Sequence, residues 1–347
     1  EGVDDDGNGY VDDIYGWNFI YSSAYPMGSN RITPVEHGTH VAGTIAAENG
    51  NGIGVCGVAG GRGGHSGVRG ISCQMFTENR NDNGDEIVAL KYGADAGAVI
   101  SQNSWGYTAG TISVTDWTRG SYSALSRAME YFNKYAGLDE NGNQTGPMAG
   151  GIVLFAAGND ASSEVCYPAA DANAISVGAT AFTGAPAYYT NYGPGCNIAA
   201  PGGDAYQSYL ENINTGASEV LSTVNGGKYG YMQGTSMACP HVSGVAALGL
   251  SYALQLGKTF TQNEFTTLLL TSVNDINQYC TGTKQYFTDK GSLATLDLSQ
   301  YKKGMGTGYI DAYQVLMNVR GITCIPIPVG SQYTLNLQPV SYTHLRA

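Results

Sequence analysis

The chain has no C-x-x-C pair among its seven cysteines, Cys56, Cys73, Cys166, Cys196, Cys239, Cys280 and Cys324, so the usual zinc and dithiol motifs are excluded. Their odd number leaves at least one unpaired. Basic residues are scarce: 16 Lys and Arg stand against 28 Asp and Glu, a formal charge of −12. That balance argues against nucleic-acid and anionic-membrane partners. No apolar run reaches the roughly 18 residues of a membrane span, and no charged start followed by an apolar stretch marks a secretory signal. The 50 glycines have no fixed period, which excludes a collagen-like chain and points to tight turns and close backbone approaches.

What is present alternates. Apolar runs at 68–76, 98–103, 152–157 and 174–179 are separated by helical patterns at 85–96, 122–135 and 242–256. Nearly continuous apolar strands divided by helices predict an α/β fold, a doubly wound, mostly parallel sheet with helices on both faces. Ligands bind such sheets at the carboxyl ends of the strands. Asn103-Ser104 and Gly158-Asn159 fall at two such ends. There the Asn159 amide can meet a developing oxyanion, although a plain turn residue is the other reading.

Gly234-Thr235-Ser236 precedes a small-residue apolar segment, with Pro240 tolerated only in a first turn. The pattern predicts a helix beginning near Ser236, whose unpaired N–H groups and positive dipole end favour an oxyanion beside the hydroxyl. An ordinary Ser N-cap has the same sequence. His37-Gly38-Thr39-His40 opens a second small-residue helix. Imidazole takes and returns a proton near neutral pH, as a serine nucleophile requires, and it also caps helices well.

Near the start, Asp4, Asp6 and Asn8 alternate, Gly9 stands sixth, Val11 eighth and Asp12 ninth, the ligand rhythm of a calcium loop. The twelfth position is Tyr15 and not the bidentate Glu, and no helix pattern flanks the loop. A structural calcium at Asp4, Asp6, Asn8, Tyr10 and Asp12 therefore competes with a solvated acidic turn. No organic cofactor is expected: the Gly-rich stretch 57–70 lacks the Lys-Ser/Thr of a phosphate loop.

Together, the segments around His37 and Ser236 resemble the His and Ser signatures of the subtilisin-like serine proteases, the subtilases. Residues 99–106, Val-Ile-Ser-Gln-Asn-Ser-Trp-Gly, resemble the family strand that pairs with substrate backbone, and residues 151–160 resemble the strand carrying the oxyanion-hole Asn. The four motifs stand in the family's order, and the likeness runs from Gly2 to Gly321.

The resemblance implies peptide-bond hydrolysis through an acyl-enzyme on Ser236. His37 would act as general base and acid, and Asn159 with the Ser236 N–H would hold the oxyanion. It also implies polypeptide substrates, a monomer, and an extracellular or cell-surface setting. The third triad member, an Asp in a short Asp-Ser/Thr-Gly motif after an apolar run, has no counterpart between Glu1 and Glu36. As the chain opens without Met inside an Asp/Gly-rich loop, that Asp is expected upstream of residue 1. The sheet is then expected to lack a central strand, and the chain alone to be poorly folded and slowed by about 10⁴. The alternative of another class is a noncatalytic binding or calcium-structured module.

The family's primary pocket maps onto Ser104, Trp105, Gly106, Ala157 and Gly158, with Cys166 at its base. No charge appears among them, which favours an apolar or aromatic side chain on the acyl side of the cut. Trp105 fits equally as the wall of a more distant subsite. Cys166 and Cys196 are candidates for a loop staple, though spacing fixes no connectivity. Cys239, beside Ser236, reads as a small buried residue. Residues 136–147 read as a polar surface loop in which Asp139 and Asn141 are weak cation ligands. The catalytic-type unit is expected to span 1–321. Residues 322–347 read as a linker into a β-rich region, with 341–347 resembling the end of a truncated or misassembled gene fragment.

Overall fold

The computed structural model describes residues 2–5, 7–62, 67–78, 84–206, 218–288 and 290–321. The expected linker and β-rich region at 322–347 lies outside the described residues, as does Asp6. The strands are β1 Gly16–Asn18, β2 Ser72–Gln74, β3 Ile100–Asn103, β4 Met148–Ala149, β5 Ile152–Ala156, β6 Ala174–Thr180 and β7 Ile198–Pro201. They continue with β8 Val220–Val224, β9 Lys228–Met232, β10 Phe260–Thr261, β11 Val273–Asn274, β12 Thr283–Phe287, β13 Leu293–Asp297 and β14 Tyr309–Ile310. The helices are α1 Glu36–Ala46, α2 Glu86–Asp95, α3 Val114–Arg119, α4 Ser123–Tyr135, α5 Thr235–Gln255, α6 Gln262–Thr271 and α7 Ala312–Arg320.

The main sheet runs β11-β14-β7-β6-β5-β3, parallel throughout except for the antiparallel edge strand β11. Period-2 alternation sorts its side chains onto two faces. Ile152, Leu154 and Ala156 of β5 join Val177 and Ile198 in a core against Val242, Ala246 and Leu250 of α5, Phe265 of α6 and Val315 of α7. Val153 and Phe155 of the same strand point the other way, to Leu90 of α2, Trp117 of α3, and Leu125, Met129 and Phe132 of α4. Helices thus cover both faces, as the alternation of apolar runs and helical patterns predicts. Each fully buried Leu, Ile or Phe stabilises the fold by about 1.5–3 kcal/mol relative to exposure.

One expectation needs correction. The run 68–76 yields only the three residues of β2, and these pair in parallel with β1 in a separate two-stranded sheet. The pairing is allowed because Gly16 has no Cβ; one placed there would lie 2.1 Å from the Ser72 carbonyl oxygen. Among the described residues β3 pairs only with β5. Moreover, α5 is long and apolar enough to cross a bilayer, although no single apolar run suggested it. The fold buries most of that stretch as its core helix.

Local signals explain the helix starts. The Asp85 carboxylate accepts from the N–H groups of Ile87 and Val88, and Thr261 with Glu264 forms a reciprocal capping box on α6. At α5 the N-cap is Gly234, with φ 148° and ψ 161°, so Ser236 is the helix's second residue and not its cap.

Candidate active site

The carboxyl ends of β3 and β5 and the start of α5 meet at one cavity of about 210 Å³. Its lining includes Trp105, Gly106, Gly158, Asn159, Cys166 and Ser236. Ser104 stands at its edge, donating its hydroxyl to the Ser236 carbonyl at 2.7 Å and accepting the Ser236 hydroxyl on its own carbonyl at 3.3 Å. Ala157 belongs instead to a small adjoining cavity that shares Cys166. Trp105 packs edge-on against Phe155 and Phe76, and its indole N–H donates to Asn103 at 3.2 Å.

Asn159 is oriented by the Thr235-Ser236 turn itself. Its side-chain oxygen accepts from the Thr235 N–H and the Thr235 hydroxyl, both at 2.9 Å. With that end committed, the NH₂ end is the one left to meet an anion. The Gly158 N–H donates to the same hydroxyl at 3.2 Å. Gly158 has φ 104°, and a Cβ there would lie 2.3 Å from Asn191 Nδ2 and 3.0 Å from the Cys166 sulfur, so no other residue fits.

His37 is the second residue of α1 and is exposed. Its helix packs against α5 and β8. The clamp that fixes α1 was not read from the sequence. His40, one turn on, is fully buried, and its Nε2 donates to the carbonyls of Val220 at 3.0 Å and Gly230 at 3.1 Å. Burial holds the His40 pKa below its ordinary value. The Ser222 hydroxyl donates to the His40 carbonyl and the Thr223 hydroxyl to the Thr39 carbonyl. This approach is so close that a Cβ on Gly43 would lie 2.1 Å from Thr223 Oγ1. The repeated His of His37-Gly-Thr-His40 was the available signal, because i and i+3 lie on neighbouring faces of a helix.

A charge was missed as well. Asp160 lines the cavity, its carboxylate accepting from the Ala109 N–H at 3.2 Å and from Asn191 Nδ2 at 3.1 Å. The mouth is therefore not wholly uncharged, as the mapped pocket residues alone suggested. Cys166 and Cys196 are both buried free thiols, so the structure contains no staple between them. Burial, with the Asp160 charge adding to it, pushes the Cys166 thiol up to about 11. Cys239 is buried within α5, and burial pushes its thiol up to about 12, too high for a nucleophile.

Among the described residues no three His, Cys, Asp or Glu side chains gather as a metal site, and Asp6 of the acidic loop lies outside them. The Asp4 carboxylate accepts from the N–H groups of Asn8 and Gly9, Asn8 Oδ1 from the Tyr10 N–H, and Asp12 from the Gly2 N–H. The Tyr10 ring packs against Trp17, Phe19 and Tyr92. Asp13 accepts from Asn8 Nδ2 and from the Tyr92 hydroxyl. These bonds use part of each carboxylate's acceptor capacity.

Residues 5–300 match the model of the subtilase family. The chain belongs to that family. It is 33% identical over 237 residues to a thermophilic serine proteinase of Bacillus sp. (strain AK1), an alignment covering 68% of this chain and 46% of that protein. It is 31% identical over 290 residues to an extracellular basic protease of Dichelobacter nodosus, covering 82% of this chain and 39% of that protein. This subtilase chain thus spans less than half the length of either relative. Two solved structures share its fold. Proteases from Pseudoalteromonas arctica PAMC 21717 give a TM-score of 0.58 at 24% identity, covering 88% of this chain and 83% of that one. The epidermin leader peptide processing serine protease of Staphylococcus aureus gives 0.59 at 22%, covering 87% and 69%.

Proposed function

We propose that the chain is the catalytic unit of a serine endopeptidase that hydrolyses polypeptides through an acyl-enzyme on Ser236. The Ser236 oxygen attacks the scissile carbonyl carbon while His37 takes the hydroxyl proton. Asn159 Nδ2 and the Ser236 N–H hold the resulting oxyanion. His37 returns the proton to the leaving amine, and water then releases the acyl group by the same steps in reverse roles. One observation carries this reading: Thr235 binds the oxygen end of Asn159, which leaves an N–H donor beside Ser236 in the same cavity. On this reading Asp4 and Asp13 do not orient His37, since they are engaged within their own loop or with Tyr92. Without the family's orienting Asp, whose short motif has no match between Glu1 and Glu36, the 347-residue chain turns over about 10⁴-fold more slowly.

Trp105 and Tyr107 favour an apolar or aromatic side chain in the cavity, while Asp160 at its mouth discriminates against acidic ones. Extracellular proteases among the relatives support a secreted or surface location. A fluorophosphonate probe tests the function in the full-length gene product. Covalent labelling mapped to Ser236 is expected; labelling elsewhere would move the nucleophile away from Ser236, and none in folded protein would mean a noncatalytic module.

A further inference from the structure

The hairpin β12–β13 was assigned no role by the sequence, and none of its described residues lines the cavity at Ser236. It nevertheless carries a buried cation to the rear of the nucleophile turn. Lys284 of β12, 6% exposed, donates its ammonium to Asp204 Oδ2 at 2.7 Å and to the Pro186 carbonyl at 2.8 Å. Asp204 is fully buried, and its carboxylate also accepts from the N–H groups of Tyr188 and Tyr206. A buried charge is tolerated only when paired and hydrogen-bonded, so this hub has one favourable arrangement.

The hub sits immediately after the turn that holds Ser236's loop. The Gly202 carbonyl accepts from the Gly234 N–H at 2.9 Å, and the Tyr189 hydroxyl donates to the carbonyls of Gly202 and Gly203. A Cβ on Gly202 would lie 2.7 Å from the Gly234 oxygen, so the two turns are in direct contact. A second route runs in parallel. Tyr286, two residues beyond Lys284 and therefore on the same face of β12, stacks on Tyr188 with ring centroids 5.3 Å apart. The Tyr188 hydroxyl accepts from Gln233 Nε2 at 2.9 Å, and Gln233 Oε1 accepts from the Ala205 N–H at 2.8 Å. Gln233 and Gly234 directly precede Thr235-Ser236.

We propose that the β12–β13 hairpin is a strut that sets the position of the nucleophile, with Lys284 and Asp204 as positioning residues acting through Gly202 and Gln233. The proposal rests on Ser236 being the nucleophile. No described residue of the strut lines the cavity, so its loss is expected to leave binding intact and to slow the chemical step. A misplacement of about 1 Å at reacting atoms costs about 100-fold in rate, so a partial displacement of about tenfold is expected.

The test compares the full-length protein with Lys284→Met, Lys284→Arg, the double variant Lys284→Met with Asp204→Asn, and Tyr286→Leu, each checked for folding by circular dichroism. Peptide hydrolysis and the rate of fluorophosphonate labelling at Ser236 are read together. For Lys284→Met, kcat and labelling rate are expected to fall about tenfold with KM unchanged, and Lys284→Arg to recover most of the loss. The double variant removes the unpaired buried charge and should regain the melting temperature of the parent without regaining kcat. Tyr286→Leu should lose about threefold. If Lys284→Met does not fold, the double variant and Tyr286→Leu decide by the same criterion. Folded variants with kcat and labelling within about 1.5-fold of the parent would reduce the hairpin to a structural element and overturn the proposal. A parent that neither cleaves nor labels would overturn the proposed function itself, and this inference with it.

Discussion

Ser236 and His37 occupy equivalent places, each the second residue of its helix, yet the two helices are held by different physics. Ser236 rides on α5, which is buried along most of its length against β6, β3, β7 and β5. His37 rides on α1, where only His40, Val41, Gly43 and Thr44 are buried and where polar contacts to β8 and β9 do the fixing. In the N-terminal segment large apolar side chains remain exposed, Ile14 at 82%, Met27 at 77% and Ile53 at 68% among them. The Ser236 side is therefore held chiefly by area removed from water, and the His37 side by packing on α5 together with directional hydrogen bonds. Area burial is insensitive to pH, whereas a clamp built on histidine is not.

The largest effect should come from the polar contact that belongs to the Ser236 side. Asn159→Ala removes the oxyanion donor and the acceptor for Thr235, and kcat should fall about 10²–10³-fold with little change in KM and none in the circular dichroism spectrum. A loss confined to KM would assign Asn159 to substrate binding instead.

Next in size is the core under Ser236. Leu154→Ala leaves a cavity between β5 and α5 and should cost about 2–5 kcal/mol in urea unfolding. The comparison is broken if Val41→Ala, on the exposed α1 side, costs as much.

Breaking the clamp should be milder for stability and sharper for chemistry. His40→Leu strands the Val220 and Gly230 carbonyls, at about 1–3 kcal/mol, and should lower kcat by loosening His37. A variant with full kcat would separate His40 from the function.

The pH dependence follows from the same residue. Burial holds both His40 and His241 below the ordinary value of about 6.5, so the unfolded chain binds more protons below that pH. Their contribution is complete above about pH 6.5 and is lost as pH falls toward their folded values. His40 lies on α1 and His241 on α5, so acid weakens both helices. Hydrogen exchange at pH 5 should still release α1, with only His40, Val41, Gly43 and Thr44 buried, before α5; simultaneous release would remove the distinction between the two sides. The smallest effect concerns the acidic loop. A cation there would tie down only an exposed turn, so calcium against chelator should move the melting temperature by less than about 3 °C.

The fold class was legible because β5 and β6 are apolar on both faces, which only a sheet covered by helices on both sides explains. The Ser236 helix was legible from Gly234 and the small residues behind it. The short sheet of β1 and β2 was not, since three-residue strands carry no periodic signal and their pairing rests on the missing Cβ of Gly16. The clamp, Asp160 and the hairpin strut were also invisible, because each joins residues far apart in the chain: His40 with Val220, Asp160 with Asn191, Lys284 with Asp204. Spacing along a sequence reports neighbours on one element and says little about partners brought together by the fold.

A kinetic cycle on the full-length protein, with His37→Ala, Ser236→Ala and the double variant assayed on one peptide substrate, asks most directly whether the two differently built sides form one machine. Residues that act as a unit are not additive. The double variant should be no slower than Ser236→Ala alone, whereas effects that multiply would show that His37 and Ser236 do not share a catalytic step.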